Sequence, residues 1–282
     1  MEDRRAIKMK TIVVTGCSHS AGTEMSDKMI FEDYKKFLSD AKKLSFTEIQ
    51  RTTLKKRLEF LLKKFKKKSL KSKIVNTGKT GNLTSRYFRI LDRSLSWPAR
   101  LQKKLPGCKV INLAKHGTSF KHSVKEALDI IKKHGTDLIF VHQVPATERT
   151  YVKRNRKMFD IDNISNMDYK KNLYRHNKEL LASIYAVEKS YKNLIRRDVR
   201  NDYFNRVLAR HHKLLLSRAT ESVKHFYILE ETSQEKIFAN GNIIIKNFNE
   251  FRKRYQIGRC HVIQDDFNDD VSELVIKKIW QG

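Results

Sequence analysis

Two short apolar runs joined by one amphipathic stretch limit this chain to very few architectures. Lys109-Val-Ile-Asn-Leu113 and Asp137-Leu-Ile-Phe-Val141 are rich in β-branched residues and do not alternate with polar ones. Between them, Ser119 to His134 sets Phe120, Val124, Leu128 and Ile131 at helical spacing before a stop at Gly135. Unalternating strands are covered on both faces, and strand, helix and strand in this order form a right-handed crossover between parallel neighbours. Thr11 to Thr15 and His225-Phe-Tyr-Ile-Leu229 have the same character, and Cys260-His-Val-Ile263 is a weaker further strand. Ser96 to Leu105 predicts a short helix with a serine N-cap and a proline in its first turn. Asp269 to Trp280 places Val271, Leu274, Val275 and Ile279 on one face of a closing helix. The expectation is a single α/β domain over residues 1–282.

Two basic, mostly helical insertions are expected within that frame, over residues 24–95 and 150–222. In the first, Leu54, Leu58, Leu61, Leu62 and Phe65 recur at helical spacing among Lys55, Lys56, Arg57, Lys63, Lys64, Lys66, Lys67 and Lys68. The second is rich in Lys, Arg, Asn and Tyr and carries Arg196, Arg197 and Arg200. The whole chain has 60 Lys and Arg against 31 Asp and Glu, a formal net charge of +29. That exceeds what solubility needs, and the resulting field attracts polyanions such as nucleic acid, acidic glycans or an anionic membrane surface. An inert helix mixes both signs more evenly, so the one-sided charge of the lysine-rich helix points to nucleic acid or another polyanion as partner.

Other features exclude function classes. Cys17, Cys108 and Cys260 are too few and too scattered for a disulfide framework or a zinc site. Neither a signal-peptide core nor a membrane-length apolar window is present, so a cytoplasmic protein is expected. Asn76 to Asn82 has two glycines, but its lysine lies between them, unlike a phosphate-binding loop. Arg210-His-His212 reads as a solvated helix face, and Asp265, Asp266, Asp269 and Asp270 suit a helix N-terminus. Neither a metal nor a cofactor is expected.

Chemistry concentrates where Thr11 to Thr15 ends in Gly16-Cys-Ser18. A strand that stops at glycine lifts a serine hydroxyl above the carboxyl edge of a sheet, where open parallel sheets bind ligands. A serine nucleophile needs a base and preorganised donors for the oxyanion. The second strand continues into a turn containing Gly117, whose amide is one candidate donor. The third ends in Val141-His-Gln143, where the Gln143 side-chain amide is another.

Gly16-Cys-Ser-His-Ser-Ala-Gly22 with Glu24-Met25, Ser96-Trp-Pro98, Val110 to Ala114 with Gly117-Thr-Ser119, and Asp137 to Gln143 together resemble the SGNH/GDSL hydrolase superfamily. The likeness is to a divergent branch common in bacteriophage genomes, with glycine-cysteine-serine as first block. It covers the first strand, residues 95–150 and about the last sixty residues, and leaves both insertions unexplained. It implies a flavodoxin-like three-layer α/β/α sandwich with a mainly parallel sheet, and serine-dependent hydrolysis of esters or acetyl groups in a host cytoplasm or a virion. On that resemblance Ser18 is the nucleophile, and its amide joins that of Gly117 in the oxyanion hole. Gln143 lies near the place of the family's third donor, an asparagine.

The C-terminal block departs from the family. Where the resemblance requires a histidine, three residues after an aspartate and just before the last helix, this chain has Asp266, followed by Phe267-Asn268. Three outcomes are open: another histidine (His261, His142 or His19) serves as base with Asp265 or Asp266 as its orienter; Asp266 itself is the base; or the scaffold has lost hydrolysis. In the last case the chain binds nucleic acid or serves as a virion or structural protein.

Overall fold

The computed structural model describes residues 10–17, 19–41, 43–44, 46–65, 80–115, 118–135, 137–145, 150–154, 157–161, 171, 181–182, 184–185, 189, 200–220, 222–239, 241–255 and 264–281. The strands, in chain order, are β1 (Thr11–Thr15), β2 (Lys109–Asn112), β3 (Leu138–Val144), β4 (Thr150–Arg154), β5 (Lys157–Ile161), β6 (Lys224–Leu229) and β7 (Asn242–Ile245). Five of them form one sheet in the order β2-β1-β3-β6-β7, with every neighbour parallel. Counted along that sheet alone, the order is 2-1-3-4-5, that of the flavodoxin-like doubly wound fold. β4 and β5 pair antiparallel as a separate hairpin that opens the second insertion.

The helices are α1 (Asp27–Ile30), α2 (Tyr34–Ala41), α3 (Phe46–Phe65), α4 (Thr80–Leu95), α5 (Trp97–Lys104), α6 (Phe120–His134), α7 (Arg200–Arg218), α8 (Phe248–Arg252) and α9 (Asp265–Gln281). Strand alternation sorts side chains into two cores, one on each face of the sheet. Ile12, Val14, Ile139, Val141, Phe226 and Ile228 pack against Trp97 and Leu101 of α5 and Phe267, Val271, Val275 and Ile279 of α9. Val13, Phe140, Val144, Tyr227 and Leu229 pack on the other face against α6, through Phe120, Val124 and Ala127, and against α7, through Leu208 and Leu215. The result is a three-layer α/β/α sandwich, in which each fully buried Val, Ile, Leu or Phe contributes about 1.5–3 kcal/mol.

α7 therefore covers the sheet as the crossover between β3 and β6, although its sequence belongs to the second basic segment. The first insertion has a core of its own, built from Ile30, Phe31, Tyr34, Phe37, Ala41, Leu61 and Phe88. The edge strand β7 was not expected from the sequence; half-buried behind Gly241, it is too short to show a period. Cys260 to Ile263 lies outside the described residues. Among the described residues no helix is long and apolar enough to cross a membrane.

Candidate active site at the carboxyl edge of the sheet

β1 leaves the sheet through Gly16, whose φ of +140° suits glycine alone. A Cβ at Gly16 would lie 2.6 Å from the Gln143 Cβ, so the turn after β1 presses directly on the end of β3. The Gly16 carbonyl accepts hydrogen bonds from the Lys115 amide (3.1 Å) and the Thr118 hydroxyl (2.8 Å), which tie the turn to the β2–α6 loop. Gly16 and Cys17 thus stand where β1 is flanked by β2 and β3, and the chain connections leave in opposite directions there. Such a switch point opens a crevice beyond the strand ends.

Ser20, fully buried, anchors the loop beyond. Its amide and hydroxyl both donate to Gln143 Oε1, at 3.0 and 2.7 Å, and its hydroxyl accepts from Trp97 Nε1 at 3.2 Å. Asn112 Nδ2 donates to the Ser20 carbonyl at 2.8 Å, while Asn112 Oδ1 accepts from the Ala114 amide at 3.0 Å. A backbone amide can only donate, so Oε1 must face Ser20 and the orientation of the Gln143 amide is unambiguous. This leaves Gln143 Nε2 as a buried donor with no hydrogen-bond partner among the described residues. An unspent donor beside the β1 exit is chemically fitted to meet developing negative charge.

The other side of the β1 exit is aromatic and charged. His19 is buried, its ring edge-on to Phe248 at 5.2 Å and tilted against Phe267 at 6.3 Å. Arg252 Nη1 lies 3.5 Å from His19 Nε2 and 3.8 Å from Glu230 Oε1. Glu230 directly follows β6, and its carbonyl accepts from the Asn249 amide, which fixes α8 over this edge. Ser20 and Trp97 stand in blocks that carry the family resemblance without being assigned a role there, and Glu230 and Arg252 belong to no motif. For Glu230 the readable signal is its position just past a strand end.

His142 behaves differently from a free base. It is fully buried on the α6 and α7 face, with Nδ1 2.8 Å from Thr15 Oγ1 and Nε2 3.0 Å from His225 Nδ1. Its ring stacks on Phe140, His225 and Tyr227. Burial, with His225 and His212 adding, holds its pKa well below the ordinary histidine value. Burial likewise brings His225 down to about 4. His212, expected on a solvated face, is instead buried, with Nε2 3.0 Å from the Tyr227 hydroxyl and Nδ1 3.1 Å from the Ile237 carbonyl. Adjacent helical residues are about 100° apart, so one of the pair His211 and His212 can face the core. No group of side chains suited to a metal occurs among the described residues.

Of the remaining expected residues, Asp266 is exposed in the first turn of α9, where negative charge is stabilised by the helix N-terminus. Its neighbour Asp265 pairs with Lys28 at 3.0 Å and Arg100 at 2.8 Å. Lys63 and Lys64 are exposed in the last turn of α3, and Lys64 Nζ donates to the Tyr87 hydroxyl at 2.9 Å. Arg200 begins α7, but its side chain lies outside the described set. Ser18, Gly117, His261, Lys66, Lys67, Lys68, Arg196 and Arg197 also lie outside the described residues. No protein-family model, curated protein or solved structure matches the chain.

Proposed function

We propose that this chain is an SGNH-like serine hydrolase that cleaves an ester or acetyl group through Ser18, and that its basic surface holds it to a polyanionic partner. The observation that carries this reading is the anchored exit of β1. Gly16 and Cys17 stand at the carboxyl edge between β2 and β3, and Gln143 clamps the following loop while keeping one buried donor unspent among the described residues. In the reaction, Ser18 Oγ attacks the ester carbonyl carbon as its proton passes to a base. The oxyanion is met by the amides of Ser18 and Gly117 and by Gln143 Nε2. Collapse breaks the bond to the leaving alcohol, which takes the proton, and water then releases the acyl group by the same steps.

Among the histidines the base is His19 or His261, because both ring nitrogens of His142 are engaged in the core. Short-chain para-nitrophenyl esters test the proposal. Wild type is expected to turn them over at least 100-fold faster than Ser18→Ala, and equal background rates in both would sink the enzyme reading. Substituting His19 and His261 separately by Asn identifies the base, since only its loss removes turnover.

A second reading has its own support in the charge of +29 and the exposed Lys63 and Lys64. In it, the chain is a catalytically degenerate scaffold that binds nucleic acid or packs within a virion. DNA or RNA binding that falls steeply with salt and is unchanged by Ser18→Ala, with no esterase turnover, is its signature.

A further inference from the structure

We infer that Arg252 is an anion-recognition residue of this site, selecting ester substrates that carry a carboxylate or phosphate group; the substrate assignment rests on the hydrolase reading above. Arg252 ends α8 at the carboxyl edge of the sheet, and its side chain is 29% exposed. Its approach to Glu230 Oε1, 3.8 Å, is beyond hydrogen-bonding range, and its contact with His19 Nε2, 3.5 Å, is at the limit. Other arginines of this chain close onto their carboxylates: Arg57 reaches Asp27 at 2.9 Å and Arg100 reaches Asp265 at 2.8 Å. Arg252 therefore keeps most of its five donors unspent among the described residues. A planar guanidinium with open donors matches a carboxylate or phosphate in two-point contact.

The setting strengthens such a contact. His19 immediately follows Ser18, so the guanidinium stands beside the loop that carries the nucleophile. Phe248 edges onto His19 and stacks on Phe251, one residue before Arg252. An apolar surround lowers the local dielectric and makes a charge-assisted hydrogen bond stronger than in water. The net positive charge of the whole chain raises the local anion concentration around the molecule.

Equilibrium binding separates this inference from the chemistry. Succinate and inorganic phosphate are titrated calorimetrically into the Ser18→Ala protein, which cannot turn over. Arg252→Gln is expected to weaken the tighter of the two by about 10- to 100-fold. Lys109→Gln, an exposed lysine at the opposite edge of the sheet, is expected to leave both unchanged. Tighter succinate assigns a carboxylate, and tighter phosphate assigns a phosphate. Undiminished binding of both anions by Arg252→Gln overturns the inference, as does an equal loss in Lys109→Gln. Should Arg252→Gln fail to fold, Arg252→Lys serves instead: it keeps the charge but loses the fork, so unaltered affinity there also overturns it. In the wild type, para-nitrophenyl hydrogen succinate is compared with para-nitrophenyl acetate. No Ser18-dependent turnover of either sinks the hydrolase reading and leaves the anion titration standing as its own result.

Discussion

Ser20 and Gln143 show what single residues contribute at the sheet edge. One carboxamide oxygen takes two hydrogen bonds from Ser20, and the Ser20 hydroxyl takes a third from Trp97. Ser20→Ala removes the hydroxyl from both contacts and leaves the buried indole N–H unpaired, at a cost of about 1–3 kcal/mol. Urea denaturation is expected to report that loss as a lower midpoint with an unchanged slope. Gln143 was readable in the chain as a polar residue ending a buried strand. Its clamp on Ser20 was not, because nothing local indicates that the strand ending at Thr15 pairs with the one ending at Val144.

At the scale of elements, the first insertion is fastened by charge as well as by its aromatic core. Arg57 of α3 bonds to Asp27 of α1 at 2.9 Å, lies 3.9 Å from Asp92 of α4 and sits over the Phe88 ring at 4.8 Å. Asp27 is completely buried and Asp92 nearly so. Asp92 also accepts from the Ser26 amide at 2.8 Å, which ties α4 to the loop leaving β1. Arg57→Met removes the compensating positive charge from two buried carboxylates and is expected to cost about 3–5 kcal/mol. Hydrogen exchange should then show α1, α3 and α4 opening before the sheet. The periodicity of α3 was legible because it depends only on neighbours three and four apart. Arg57 itself read as one more cation of a polyanion-binding helix, since its acidic partners come from two other helices.

For the whole molecule, the buried histidines set the response to acid. His225, at about 4 when folded against an ordinary 6.5, stays neutral in the native state. Its contribution is therefore complete above pH 6.5 and is lost as pH falls through 4, up to about 3 kcal/mol. His142 and His212 shift in the same direction through burial. Asp92 opposes them: burial raises it to about 6, so its contribution is complete below pH 3.8 and is lost as pH rises through 6. Thermal unfolding followed from pH 7.5 to 4 is expected to show a falling Tm. Asp92→Asn should make the fall steeper between pH 6 and 4; a flat profile in both proteins would contradict the histidine assignment.

Strand character, the crossover between Lys109 and Val141, the closing helix and the glycine turn at Gly16 were all legible in the residues. Each depends on period, turn chemistry or burial over a few neighbouring positions. The parallel α/β class follows from those elements and their order. The partnerships among polar groups at the strand ends were not legible. Ser20 and Gln143 stand 123 positions apart, and Thr15 and His142 stand 127 apart. Strand order and register bring them within hydrogen-bonding distance, and those are settled by packing on both faces of the sheet, not by any local pattern. The same packing turned His142 and His212 into core residues and left Arg252 half-buried at the edge.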